Sequence, residues 1–379
     1  MSLTPNQDDQ LKKMPRIGPH LKGDVVVEEI KGQDLAIVLS RFEIGTIDRI
    51  LDYRGGSRQS PKLIVNTSLG RFLLKRRALG KDALEQVVIA HSVQEQLAGH
   101  RFPVAGLIHT IDGETIVEHE GRVYELFKYI QGSRFDKTNP QAAEAGRVLA
   151  HFHDLLRTYP KDPSMQRRTY HVGSRVYEVL DELKGILQSQ ESESQLSGLD
   201  QTIEYLTHAY QQTYDAVERV ELNSLPQCVV HGDWHPGNML YKDDEIIAVI
   251  DFDSIRYSPR ITDIANGALQ FSMRMGELEK IESWGEGFRG RTIRTMVQSY
   301  NQFTQHPLLA SELAIVPHLM IEALIVESIV PIQQHGKFGT IPGSSFLKMV
   351  EQKVKWLTPR IERVVEVIQP PKEGEDSFG

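Results

Sequence analysis

The pattern of apolar and polar positions changes character along the chain. GQDLAIVLSRF (32–42) carries its apolar residues at helical spacing, and DVVVEEI (24–30) before it reads as a short strand. IGTIDRILDYRGG, KLIVN and RFLLKRR then alternate with period two. The turn signals GGSRQSP (55–61) and TSLG (67–70) separate them, which predicts an antiparallel meander. DALEQVVIAHSVQEQLAG (82–99) returns to helical spacing, with Asp82 as N-cap and a glycine at its end. VAGLIHTI, TIVEHEG and RVYELFKYI read as further strands around an Asp112-Gly113 turn.

Beyond Gly132 long amphipathic helices take over, at 141–156, 174–187, about 201–220 and again from about 263 to 368. Strand signals recur only in PQCVV (226–230) and in NMLY and EIIAVI, joined by Lys242-Asp243-Asp244. QSQESESQLSG (188–198) predicts an exposed connection. The result is an α+β chain with an N-terminal extension (1–43), a small antiparallel-sheet lobe (44–130), a larger mainly helical lobe (131–369) and a tail (370–379). A length of 379 residues fits two lobes around a large core.

A net charge of −8 argues against a nucleic-acid partner and favours a small molecule. Cys228 is the only cysteine, which excludes an intramolecular disulfide and fits a reducing, cytoplasmic setting. The N-terminal residues lack the apolar core of a signal peptide. LMIEALIVESIVPI (319–332) is interrupted by Glu322 and Glu327 and is short for a bilayer span, so it predicts a buried helix and no membrane partner.

The densest chemistry lies in HGDWHPGN (231–238), between QCVV and a hairpin that ends in AVIDFDS. A hairpin returns the chain to its start, so Asn238 and Asp251 can stand side by side as oxygen ligands for a hard cation such as Mg²⁺. Asp233 then faces whatever that cation holds, an arrangement suited to phosphoryl transfer. His231 and His235 have no third histidine or cysteine nearby, which argues against zinc. His151 and His153 lie two apart on a predicted helix, face different ways and read as structural. Taken singly, Lys75 reads as a surface lysine and Asp263 as a carboxylate at a helix N-terminus.

HGDWHPGN followed by IDFD resembles the catalytic loop and metal segment of the aminoglycoside phosphotransferase and choline kinase superfamily, relatives of protein kinases. FLLKRR resembles the strand carrying the ATP-binding lysine, YELFKYIQG the interlobe hinge, GRVLAHFH the first large helix of the second lobe, and SPRITDIA the segment after the metal site. The resemblance implies a two-lobed protein-kinase-like fold with ATP and Mg²⁺ in the cleft. It implies Asp233 as catalytic base, Asn238 and Asp251 as Mg²⁺ ligands, and Lys75 on the phosphates. Glu125 and Phe127 would belong to the nucleotide-binding segment, His231 would brace the loop, Asp263 would tie it to the helical lobe, and Asp253 would support the metal.

Three features depart from that pattern. GGSRQSP is not a three-glycine phosphate loop, the carboxylate for Lys75 would come from Glu85 or Glu95, and Trp234 replaces a smaller residue and is expected to pack. LAGHRFPVAGLIHTIDGE and HPLLASELAIVPHLM resemble homoserine kinases of this fold. The implied acceptor is a hydroxyl of an amino alcohol, a homoserine-like compound or an aminoglycoside or sugar, acted on by a monomer or homodimer. Two alternatives stand beside it. The intact Asp233, Asn238 and Asp251 oppose a catalytically silent nucleotide-binding regulatory module, and the short SIRYSPRITD after the metal segment opposes a protein kinase.

Overall fold

Five strands form a sheet in the order β1-β2-β3-β5-β4, every neighbouring pair antiparallel. They are β1 (Ile47–Tyr53), β2 (Lys62–Thr67), β3 (Gly70–Arg76), β4 (Val117–His119) and β5 (Arg122–Lys128). The computed structural model describes residues 30, 32–53, 60–78, 84–162, 164–165, 169–277 and 280–369. Residues 1–29 of the expected N-terminal extension, and with them most of strand 24–30, Gly55 and Gly56, the Asp82 N-cap and the tail lie outside them. Period-two alternation in β3 and β5 turns Leu74 and Leu126 into an apolar core with Val65 and with Val38 and Leu39 of helix α1 (Gly32–Leu39). The same alternation turns Lys75 and Glu125, directly opposed across the ladder, to the other face. Helix α2 (Leu84–Gly99) crosses that second face.

VAGLIHTI does not form the strand that its apolar run predicts. Its backbone meets β5 at only two bonds, Ile108 N to the Leu126 carbonyl (2.8 Å) and Lys128 N to the Gly106 carbonyl (2.8 Å). At its start it leaves the sheet for the other lobe, where Val249 N donates to the Pro103 carbonyl (2.8 Å). Pro103 has no N–H to continue a ladder, so the segment becomes an interlobe strap.

The larger lobe is mainly helical. Its main helices are α3 (Asn139–Leu156), α4 (Ser174–Gln188), α5 (Leu199–Glu218), α6 (Ile261–Ser272), α7 (Gly290–Phe303), α8 (Ala310–His335), α9 (Gly343–Leu357) and α10 (Ile361–Ile368). Thr138 caps α3 and Pro140 occupies its first turn, where a missing N–H is harmless. Helices α3 and α7 pack so closely at Gly146 that an added Cβ would fall 2.1 Å from the Met296 carbonyl oxygen. The run LMIEALIVESIVPI lies inside α8, which at 26 residues is longer than the apolar run alone suggests. By length and apolarity α8 could cross a membrane, yet 72 % of its most apolar stretch is buried against the protein. Two short antiparallel pairs sit at the lobe's inner edge: β6 (Gln227–Val230) with β9 (Arg256–Pro259), and the hairpin β7 (Met239–Lys242) with β8 (Glu245–Val249).

Candidate active site

The loop that leaves β6 is held by one buried carboxylate. Asp263, 1 % exposed in the first turn of α6, accepts from His231 N at 2.7 Å and from Gly232 N at 2.8 Å. His153 Nε2 lies 3.2 Å from the same group, and Tyr300 Oη lies 3.0 Å from His153 Nδ1. Three elements, β6, α3 and α6, are thereby locked to one point. Burial alone would raise the Asp263 carboxyl, but the His153 hydrogen bond and the neighbouring His231 and Arg256 hold it below its ordinary value. Gly232 has φ +76°, and a Cβ there would fall 2.3 Å from both Arg256 Nη1 and the Ser254 carbonyl oxygen. Glycine is therefore required by conformation and by space.

Trp234 is fully buried, 5.5 Å from the ring of His231 and 6.0 Å from that of Phe152, so it packs rather than lining a pocket. His231 Nε2 reaches the Ile250 carbonyl at 3.3 Å, and burial lowers the pKa of its imidazole. His153 is buried in this network, while His151 on the same helix is exposed.

Asp233 turns the other way. It lies deep among protein atoms yet keeps 40 % of its side-chain surface, so it lines a cleft. Its Oδ2 accepts from Asn238 Nδ2 at 3.0 Å and stands 3.2 Å from His235 Nε2. Burial would push this carboxyl up, but the charge and hydrogen bond of His235, with His231 and Asn238, hold it well below the usual carboxylate range. The His235 imidazole is correspondingly raised against its own burial.

The β7–β8 hairpin closes as its alternation predicts, and Ile250 N donates to the Asn238 carbonyl at 3.0 Å. Asp251 follows in the left-handed region, φ 66° and ψ 69°, a conformation that Asp tolerates better than most residues. The Asn238 Nδ2 donates to both the backbone carbonyl and Oδ2 of Asp233, leaving its side-chain oxygen without a hydrogen bond among the described residues. Asp251 keeps 38 % of its side-chain surface. Two adjacent oxygen donors, one of them anionic, suit a hard divalent cation that retains other ligands.

Asp251 also joins this loop to the sheet, because Lys75 Nζ lies 3.8 Å from its Oδ1. Lys75 is 2.7 Å from Asp253 and 3.8 Å from Glu125. Burial opposes its charge, but Glu125, Asp253 and Asp251 raise its pKa above that of an ordinary lysine. Arg77 lies beside it, 2.9 Å from Glu125 and 2.6 Å from Asp253. Asp253 is thus placed against Lys75 and Arg77.

The expectation that Glu85 or Glu95 serves Lys75 does not hold. Glu85 is exposed and Glu95 pairs with His109 at 2.5 Å. The carboxylate comes instead from Glu125 on β5, and helix α2 contributes His91, whose Nε2 lies 2.6 Å from Glu125 Oε1. Thr115 lies 2.8 Å from the other ring nitrogen of His91. Against the push of burial, Lys75, the His91 hydrogen bond and Arg77 hold Glu125 at about 2. Phe127, two residues on, packs edge-on to His91 with centroids 6.3 Å apart.

A further group stands on the helical wall. Glu327 of α8 accepts from Tyr170 Oη at 2.6 Å and from Gln270 Nε2 at 2.6 Å. Burial pushes its carboxyl up to about 7, with help from the charge of Asp233 and against its bond to Tyr170 and the charges of His235 and Arg256. The residue pattern did not mark His91 or Glu327. The signal for Glu327 in the sequence is an acid inside the apolar run LMIEALIVESIVPI.

A family model described as the phosphotransferase enzyme family (APH) matches residues 50–306. Stress response kinase A of Shigella flexneri is 25 % identical over 197 residues, covering 51 % of this chain and 55 % of the relative. A Salmonella typhimurium relative, named Serine/threonine protein kinase RdoA, is 24 % identical over 197 residues, covering 51 % of this chain and 55 % of the relative. The chain spans about half the length of the curated relatives it matches. Among solved structures, an aminoglycoside phosphotransferase from Alicyclobacillus acidocaldarius has a TM-score of 0.66 at 17 % identity, covering 91 % of this chain and 97 % of that one. A spectinomycin phosphotransferase in complex with ADP and spectinomycin has a TM-score of 0.61 at 15 % identity, covering 89 % and 100 %. At these identities the structural likeness is one of fold, and it is the kinase-like two-lobed fold expected. With the family model spanning well over half of its length, this chain belongs to the phosphotransferase enzyme family.

Proposed function

We propose that this protein transfers the γ-phosphoryl group of ATP to a hydroxyl of a small molecule, using Mg²⁺. The observation that carries this reading is that Asn238, bonded to Asp233 at 3.0 Å, and Asp251 flank the two ends of one closed hairpin, with Lys75 at 3.8 Å from Asp251. Asn238 and Asp251 would hold the metal, which when bound neutralises phosphate charge. Lys75, steadied by Glu125, would hold the inner phosphates of the nucleotide. Asp233 Oδ would orient the acceptor hydroxyl and take its proton as the new ester bond forms. A carboxylate held this far below its usual range is a weak base, so orientation carries more of its contribution than proton abstraction.

Two features support a small acceptor. Strand β9 runs into α6 with only Arg260 between them, leaving no length for the long activation segment that protein kinases use. Glu327, in electrostatic reach of Asp233 and without a lysine or arginine salt bridge among the described residues, suits an acceptor carrying an ammonium group. A protein acceptor is the second reading, favoured by the name of the Salmonella relative. Measuring ADP release with Mg-ATP across amino alcohols, homoserine, aminoglycosides, neutral sugars and a generic protein substrate decides between them. Stimulation by an amine-bearing alcohol is expected. Nucleotide binding with no stimulation by any acceptor would sink the enzyme reading.

A further inference from the structure

A second lysine of the sheet lies near the proposed nucleotide site. Lys62 opens β2, directly opposite Lys75 of β3 in the antiparallel register. It is equally opposite Tyr53 of β1, and Lys75 is opposite Glu125 of β5. Directly opposed residues in antiparallel strands project from the same face. Tyr53, Lys62, Lys75 and Glu125 therefore form one row across four strands, and that row faces the catalytic loop. Its outer end is anchored there: Arg134 donates to Tyr53 Oη at 3.2 Å and also to the Gly237 carbonyl.

The other cations of this cluster are committed. Lys75 has Asp253 at 2.7 Å, and Arg77 has Asp253 at 2.6 Å and Glu125 at 2.9 Å. Among the described residues Lys62 makes no hydrogen bond or ion pair, although Asp251, Asp253 and Glu125 all lie within electrostatic reach. Its ammonium is desolvated, and Lys75 adds a like charge, so its pKa is lowered. A desolvated cation beside a second cation, with no direct partner, is unfavourable unless an anion arrives from outside. The segment GGSRQSP before β2 is not a three-glycine phosphate loop in sequence, so a side-chain cation on β2 is a natural complement to it.

We propose that Lys62 is a second phosphate-binding residue of the donor site, engaging the outer phosphates of the nucleoside triphosphate while Lys75 engages the inner ones. The inference rests on the phosphotransferase reading. Lys62 does not take part in proton transfer; it sets the preference for a triphosphate over shorter nucleotides.

The test is calorimetric binding of ATP, ADP and adenosine to the full chain with Mg²⁺, for wild type, Lys62→Met and Lys62→Arg. Loss of one charged contact predicts that Lys62→Met weakens ATP by about 10-fold or more. ADP should weaken less, adenosine should be unchanged, and Lys62→Arg should recover most of the ATP affinity. A merely structural lysine would move all three ligands together. Lys62→Gln, read by the same criteria, serves if the methionine variant does not fold. Wild-type ATP affinity in a folded Lys62→Met or Lys62→Gln protein overturns the inference alone. A wild-type chain that binds no nucleotide refutes the phosphotransferase reading and the inference with it.

Discussion

Replacing Asp263 with alanine removes the acceptor of two buried backbone donors at once, His231 N at 2.7 Å and Gly232 N at 2.8 Å. Each buried donor left unpaired costs about 1–3 kcal/mol, so the pair predicts a loss of about 2–6 kcal/mol. A water entering the vacated space would bring the loss to the lower end of that range. Against a total stability on the order of 5–15 kcal/mol, this is a large fraction. Asp263→Asn keeps one acceptor oxygen but turns an NH₂ toward the second donor, so about half the loss, 1–3 kcal/mol, is expected. Urea unfolding followed by tryptophan fluorescence reads this directly, because Trp234 is buried in the same loop. Asp200→Ala serves as the control, since the Asp200 carboxylate is 66 % exposed and its pair with Lys184 is worth about 0–1 kcal/mol. The folded Asp263 variants should also lose transfer while keeping nucleotide affinity, because Asp233 follows Gly232 directly. An Asp263→Ala protein within about 0.5 kcal/mol of wild type would refute the claim that this carboxylate organises the loop.

Three further outcomes follow from the geometry. Gly232→Ala should destabilise the protein by several kcal/mol, roughly 2–4, because its Cβ meets the Ser254 backbone at 2.3 Å and its φ is +76°; a soluble variant with a wild-type urea midpoint would contradict this. Glu327 holds a proton in the folded state between its ordinary 4.5 and about 7, so its contribution to stability falls as pH rises through that window. Glu327→Gln should therefore gain stability relative to wild type between about pH 5 and about pH 8, and a flat difference across unfolding midpoints would count against the raised carboxyl. His91→Ala removes the contact from α2 to Glu125 at 2.6 Å and should lower stability by about 1–3 kcal/mol while raising KM for ATP; an unchanged KM with lost stability would reduce His91 to a packing role.

Much of this architecture is legible in the residues because burial imposes periodicity. Leu74 and Leu126 alternate with Lys75 and Glu125, and that alternation alone predicts strands with one apolar face. The hairpin between Asn238 and Asp251 was likewise readable, since two short apolar runs flank three polar residues. Periodicity fails where backbone bonding is intermittent. VAGLIHTI is apolar like a strand, yet Pro103 and the departure toward Val249 make it a strap. Partner identity is harder still. Lys75 and Asp253 are 178 residues apart, and no local pattern shows that Glu125, rather than a helix carboxylate, approaches the lysine. His91 is buried and Glu327 half-buried inside helices, where apolar spacing conceals a polar side chain whose partners lie on other elements.

The central claim, that Asp233 acts on an acceptor hydroxyl held beside the nucleotide, is tested most directly by γ-phosphoryl transfer from Mg-ATP to an amine-bearing alcohol in wild type and Asp233→Asn, with nucleotide affinity measured in parallel. Asp233→Asn is expected to turn over about 10²–10⁴-fold more slowly at unchanged nucleotide affinity. Wild-type turnover by Asp233→Asn would contradict it.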